Sequence, residues 1–129
     1  LKNSAYVIDA SALLAYLHGE PGGPRVGDCL DGALLCSVNL CEILQKAKQF
    51  GVDIKGLEED LAELGIRIEP FTAQQAWIAA NLWESTRAGG LSLADRACLA
   101  LAIESVAPVL TADRAWQALD LSVVIETIR

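Results

Sequence analysis

Val7-Ile8-Asp9-Ala10-Ser11-Ala12-Leu13 is the stretch that decides the fold class. A short β-prone run, Ala5 to Ile8, meets an acid, and from Asp9 to Leu17 the apolar residues Ala10, Leu13, Leu14 and Leu17 recur at helical spacing. This is a strand feeding a helix, with a carboxylate at the handover. The pattern then repeats along the chain. After a breaker cluster from Gly19 to Pro24 and a short helix from Val26 to Leu30, Ala33 to Val38 reads as a second strand. Asn39 opens a helix through about Gln49 that Gly51 stops. Ile54 to Leu64 is a further helix, capped by Gly65, and Ile66 to Glu69 a third strand before Pro70. Thr72 caps a helix running to about Arg87, ahead of the Gly89-Gly90 break, and Leu93 to Ser105 is the most apolar helix. Val109 to Thr111 gives a fourth strand, Ala115 to Leu119 a short helix and Val123 to Ile125 a last strand. Such alternation predicts an α/β chain whose mainly parallel sheet of four to five strands is covered on both faces and joined by right-handed crossovers.

The bulk properties are those of one domain spanning residues 1–129, with 53% hydrophobic content to supply its core. The longest uncharged apolar stretch, Ala97 to Ile103, is too short to span a bilayer, and no basic flank followed by a signal-type segment opens the sequence. The expectation is a soluble cytoplasmic protein with no membrane partner. Cys29, Cys36, Cys41 and Cys98 form neither a C-x-x-C pair nor a zinc spacing, so reduced, mostly buried thiols are expected. His18, the single histidine, falls at a helix end before Gly19 and reads as a surface residue. The formal charge of −7 argues against a broadly basic nucleic-acid surface. Part of that charge is local, because setting aside four acids leaves ten cations against thirteen anions, a balance of −3.

Those four acids are Asp9, Glu42, Asp95 and Asp113. Each has a structural reading: Asn39-x-x-Glu42 and Ser92-x-x-Asp95 match capping boxes, and Asp9 and Asp113 can cap turns or helices. Their joint placement adds a second reading. Asp9 follows the first strand, Glu42 the second and Asp113 the fourth, while Asp95 begins the helix leading into the fourth. Parallel strands would bring all four to one edge of the sheet, where open sheets bind ligands. Two carboxylates about 4 Å apart repel by roughly 4 kcal/mol at an effective dielectric near 20, so such a cluster calls for protons or a hard divalent cation.

Together with Asn39-Leu40-Cys41-Glu42, Leu91-Ser92-Leu93-Ala94-Asp95-Arg96 and Leu110-Thr111-Ala112-Asp113-Arg114, the opening motif resembles the blocks of PIN-domain ribonucleases of the VapC toxin type. The likeness runs in order along nearly the whole chain, and Gly90 to Asp95 is its most specific block. The resemblance implies a three-layer α/β/α sandwich and a metal-dependent endoribonuclease, the toxin of a toxin–antitoxin pair. It further implies that Asp9, Glu42, Asp95 and Asp113 are the metal-binding and catalytic residues, with Ser11 and Thr111 as hydroxyls near the metal. One or two Mg²⁺ or Mn²⁺ ions, an RNA substrate, a VapB-type antitoxin and a homodimer are implied in turn.

Arg96, Arg114 and Lys46 lie close to the acids in sequence and are candidate phosphate contacts, ordinary acid–base pairing being the other reading. Lys48 and Arg25 read as solvated. Trp77 and Trp83, six residues apart on one helix, cannot share a face, so one of them is a candidate interface residue unless neighbouring helices cover both. Two further functions use the same site: a structure-specific DNA nuclease and a non-catalytic PIN-like binding module. A dehalogenase-type phosphatase is disfavoured because Ser11 stands where that chemistry wants a second acid.

Overall fold

A computed structural model describes residues 5–129. Among them, five strands form one sheet: β1 (Val7–Ile8), β2 (Leu34–Cys36), β3 (Arg67–Glu69), β4 (Val109–Thr111) and β5 (Ile125–Thr127). Their order is β3-β2-β1-β4-β5, and every neighbouring pair is parallel. The helices are α1 (Ala10–Leu17), α2 (Gly23–Gly27), α3 (Ser37–Gln49), α4 (Leu57–Glu63), α5 (Ala73–Asn81), α6 (Trp83–Thr86) and α7 (Leu93–Ser105), with 3₁₀ turns at Arg87–Gly89 and Arg114–Ala118.

The strands are apolar at successive positions because both faces of the sheet are covered. Ile8, Leu35 and Leu110 point to one side, where they meet Leu13 of α1, Val26 of α2, Ile43 of α3 and Leu61 of α4. Val7, Leu34 and Val109 point to the other, against Leu99 and Leu101 of α7, Leu82 and Trp116. The register agrees, with Val7 opposite both Leu34 and Val109 and Ile8 opposite Leu110. The result is the expected α/β/α sandwich. Burying a leucine this completely contributes about 1.5–3 kcal/mol, so the two apolar layers hold the sheet edge rigid beneath whatever is built on it.

From β1 the chain steps outward through β2 to β3, and then returns to place β4 on the opposite side of β1. The strand order therefore reverses between β1 and β4. A crevice opens at the carboxyl ends of strands at such a point, and there the first and fourth strands deliver Asp9 and Thr111.

Several element boundaries differ from the sequence reading, each for a local reason. Helix α3 begins at Ser37, directly after β2, with Cys36 as an N-cap that makes no side-chain cap bond. Asn39 is thus inside the first turn, and the expected Asn39-x-x-Glu42 capping box does not form. Pro24 sits in the first turn of α2 instead of breaking the chain, since its fixed φ and missing N–H suit that position. Gly22 precedes it at φ +88°, and a Cβ there would stand 2.5 Å from the Ile128 carbonyl oxygen, so this approach requires glycine. Helix α4 starts at Leu57 after Gly56 in the left-handed region.

The expected helix from Thr72 to Arg87 is divided at Leu82 into α5 and α6. The Leu82 N–H is shared between the Ile78 and Ala79 carbonyls at 3.2 Å each, and the Leu82 carbonyl accepts from the Thr86 N–H at 3.1 Å as well as from the Thr86 and Ser85 hydroxyls at 2.7 and 3.2 Å. Strand β5 lies two residues beyond the expected Val123–Ile125 because Glu126 is held there by Arg25, whose Nε and Nη2 donate to its carboxylate at 2.6 and 3.0 Å. Arg25 is thereby paired, contrary to the solvated reading, and its Nη2 also donates to the Tyr6 hydroxyl at 3.0 Å.

His18 is exposed at the C-cap of α1, as expected. All four cysteines are free: Cys36 and Cys98 are buried, Cys29 is half-buried and Cys41 is exposed. Neighbouring helices cover neither Trp77 nor Trp83, which are 72% and 49% exposed. Among the described residues no helix is long and apolar enough to cross a membrane.

Candidate metal centre

Asp9 is the N-cap of α1 and is 4% exposed, the most deeply placed of the four acids. Its position follows from the sequence directly: β1 ends, and the first free N–H groups of α1 need an acceptor. Oδ1 accepts from the Ala12 N–H at 2.8 Å and from the Ser11 hydroxyl at 2.8 Å, and Oδ2 accepts from the Thr111 hydroxyl at 2.6 Å. Both hydroxyl protons are spent on Asp9. Ser11 Oγ in turn accepts from the Ala112 N–H at 2.9 Å, and Thr111 Oγ1 from the Asp113 N–H at 3.1 Å. The carboxylate is thus clamped between the ends of β1 and β4 by two hydroxyls that are themselves held by backbone.

Burial raises the Asp9 carboxyl to about 6, although the bonds from Thr111, Ala12 and Ser11 favour the ionised form. The charge of Asp95 pushes in the same direction as burial, which puts the two acids within electrostatic reach across the β1–α7 contact. Cys98, wholly buried on α7, is raised by the same environment. Burial dominates there, followed by the charges of Asp9, Cys36, Asp95 and Glu42, so three of the acids flank one buried point.

Asp95 occupies the third position of α7 and closes a capping box with Ser92: the Asp95 N–H donates to Ser92 Oγ at 3.1 Å, and the Ser92 N–H to Asp95 Oδ2 at 2.9 Å. Oδ1 is left without a partner in this box. Glu42, half-buried on α3, accepts from Asn39 Nδ2 at 3.0 Å. Asp113 is exposed, and its Oδ1 caps the 3₁₀ turn by accepting from the Ala115 N–H at 3.0 Å.

The four acids therefore gather along one edge of the sheet but do not close on a single point. Among the described residues no three His, Cys, Asp or Glu side chains stand close enough to hold one ion. Each carboxylate is turned toward its own helix start or an adjacent amide, an arrangement that separates like charges. The donor set is nonetheless wholly oxygen, which suits a hard cation, and Mg²⁺ commonly takes only one or two carboxylates and keeps water at its other positions. Asp9 and Asp95 could supply that pair.

The cations divide. Lys46 lines a groove between α1, α3 and α4 that begins at Ser11, and Arg129 stands with it. Arg96 turns away from the acids, its Nη1 donating to the Ala79 carbonyl of α5 at 3.0 Å. Arg114 is exposed and donates to the Arg129 carbonyl at 2.9 Å.

Asn39 was legible only as a helix cap, and the structure gives it a different position. It is fully buried, and Nδ2 donates to Glu42 and, at 3.2 Å, to the Ala94 carbonyl in the first turn of α7. Two acceptors fix the amide orientation, which leaves Oδ1 buried without a partner. One side chain thus joins the helix of Glu42 to the helix of Asp95. Arg129 lies beyond the last of the four blocks, Leu110 to Arg114, and no motif marks it.

Solved structures share this architecture. The chain is similar to a toxin–antitoxin complex from Klebsiella pneumoniae at 14% identity and a TM-score of 0.74, covering 97% of this chain and 98% of that one. FitAcB from Neisseria gonorrhoeae is similar at 22% identity and 0.73, covering 95% and 97%. DNA-bound VapBC from Salmonella typhimurium is similar at 12% identity and 0.74, covering 98% and 100%. At these identities the likeness concerns the fold. No curated protein sequence matches the chain significantly. The PIN domain profile matches residues 6–121, which include all four acids, both clamping hydroxyls and Asn39. With that match over most of its length, the chain belongs to the PIN domain family.

Proposed function

We propose that this chain is a metal-dependent endoribonuclease, the VapC-type toxin of a toxin–antitoxin pair acting in the cytoplasm. PIN domains are generally nucleases, and the observation that carries the reading here is Asp9. A carboxylate buried at the strand-order reversal, clamped by Ser11 and Thr111 and repelled by Asp95, carries a desolvation cost that a divalent cation offsets.

Asp9 and Asp95 would hold Mg²⁺ or Mn²⁺ directly, with Glu42 and Asp113 acting through water, around one or two ions. When bound, such an ion supplies an activated water, charge stabilisation at the phosphoryl oxygens and help for the leaving oxygen. The protein's own residues keep that site in shape: Ser11 and Thr111 fix the plane of the Asp9 carboxylate, and Asn39 ties Glu42 to the start of α7. Lys46 offers a cation for a substrate phosphate beside Ser11.

The antitoxin partner is supported by the groove between α1, α3 and α4. It has a volume of about 440 Å³, and Leu14, Leu17, Ile43, Phe50 and Leu57 make it largely apolar. It opens at Ser11, so an apolar segment lying in it would end beside the acids. The similar structure from Klebsiella pneumoniae is a toxin–antitoxin complex, which fits this assignment.

Purified protein is expected to cleave single-stranded RNA with Mg²⁺ or Mn²⁺ and to stop in excess EDTA. Undiminished cleavage in EDTA would remove the metal from the reading. Expression is expected to arrest growth, with relief by Asp9→Asn; cleavage without arrest would leave a nuclease that is not a toxin.

A further inference from the structure

We propose that Trp83 and Arg87 form a stacking platform for an unpaired base of the RNA strand cut at the acidic site. The inference rests on the nuclease reading and adds a substrate contact that the acids and their hydroxyls do not provide.

The Arg87 guanidinium lies over the Trp83 ring, with Cζ 5.0 Å from the centroid. The indole stays 49% exposed, so the cation does not cover it. Trp83 belongs to neither apolar layer of the fold. Arg87 makes no ion pair among the described residues, and this includes Glu84, three residues before it on the same helical stretch. An aromatic face and an unneutralised guanidinium are thus held together at the surface with no structural partner. That is the chemistry which takes nucleobases: every base has a π-face that stacks on an indole, and arginine adds a cation–π contact and a phosphate donor.

The platform stands at the correct end of the molecule. Arg96, next to Asp95 in the first turn of α7, donates to the Ala79 carbonyl near the end of α5, immediately before α6. Beyond α6, the Leu91 N–H donates to the Thr86 carbonyl at 3.5 Å, folding the segment back toward the Ser92–Asp95 capping box. Arg87 and Asp95 are eight residues apart, a span of at most about 28 Å even if the segment were fully extended, and the turn brings them closer. Leu93, 59% exposed, offers further apolar surface between them.

The net charge favours such a platform. At −7 the chain exerts little general attraction on phosphates, so a strand must be held by contacts that do not depend on a basic surface. Base stacking is one, and it favours single strands, whose bases are free to splay, over duplex.

The test measures binding of a short fluorescent single-stranded RNA in Mg²⁺ by anisotropy, in the cleavage-deficient Asp9→Asn background. Adding Trp83→Ala is expected to weaken binding by roughly 5- to 150-fold, the range of one lost stacking contact. Trp83→Phe is expected to retain most of the affinity and Arg87→Ala to lose less than Trp83→Ala. Trp77→Ala, which removes an exposed indole with no stacked cation, is expected to stay within about twofold, and duplex RNA to be indifferent to the three tryptophan variants. Unchanged binding by Trp83→Ala, or equal losses at Trp77 and Trp83, overturns the platform. So does sedimentation showing that Trp83→Ala dissociates an oligomer and that binding is lost only for that reason. If single-stranded RNA binds through Trp83 but the unmutated protein never cleaves RNA, the nuclease reading fails and the platform stands. If cleavage is normal and Trp83→Ala binds normally, the reverse holds.

Discussion

The start of α1 and the start of α7 both set a carboxylate against the free N–H groups of a first helical turn, yet Asp9 is buried and Asp95 half-buried. Asp9 has both oxygens occupied by three donors, whereas the capping box of Asp95 uses only Oδ2. Capping a helix requires nothing more than the second arrangement. The additional burial and the two hydroxyls at Asp9 contribute no cap, and burial makes its charge costly in the folded state. The β1 end thus holds a carboxylate whose charge is costly where it stands, which suits the proposed exchange of its proton for a cation, whereas the acid at α7 bears no such cost.

Loss of either carboxylate tests whether the two ends act as a unit. Asp9→Asn and Asp95→Asn are each expected to lower metal-dependent RNA cleavage by roughly 10²- to 10⁴-fold, the scale of a lost metal contribution of several kcal/mol. A double variant no worse than either single one would show shared action on one ion, and fully additive losses would separate them. Gel-based cleavage rates at saturating Mg²⁺ make the comparison.

Next in size is a fall in stability with rising pH that originates at Asp9. Its folded value of about 6 lies above the ordinary 3.8, so the folded state holds the proton more tightly than the unfolded chain. The penalty for ionising it is absent below about 3.8 and complete above about 6, amounting to about 3 kcal/mol. Urea unfolding in EDTA is therefore expected to show stability falling toward the upper end of that window, with Mg²⁺ restoring it above pH 6 and Asp9→Asn removing that fall. A slope that persists in Asp9→Asn would assign it to another group.

Thr111→Val sharpens the comparison further by removing the donor to Asp9 Oδ2. It is expected to cost about 1–3 kcal/mol at neutral pH in EDTA and to move the Asp9 carboxyl further upward, displacing the pH profile of cleavage to higher pH. Smallest is Ser92→Ala, which breaks only the solvent-facing box at α7. A loss of about 1 kcal/mol by thermal unfolding is expected, with cleavage reduced less than tenfold.

The sheet and the positions of the acids were legible because short apolar strands followed at once by polar residues leave a direct trace: Val7-Ile8 runs into Asp9, and Val109-Leu110-Thr111 is followed two residues on by Asp113. What escaped reading was set by partners distant in sequence. Asn39 resembles a cap until α3 is seen to begin at Ser37, and its true acceptors include a carbonyl 55 residues away. Strand β5 is placed by Arg25, 101 residues from Glu126. Arg96 sits beside Asp95 in sequence but donates to α5, because side chains one position apart on a helix point in different directions. The helix divides at Leu82, whose N–H is shared between two carbonyls, a backbone detail that no residue type marks.

Cys98 lies beneath the acids with its thiol wholly enclosed and held protonated, while Cys41 is open to solvent. An alkylating reagent applied to the native protein therefore reaches Cys41 at once and Cys98 only when the floor of the crevice parts from α7. The labelling rate of that one sulfur is a built-in clock for local opening, and a cation or an inhibitor protein that braces the crevice would slow it without any reporter being introduced.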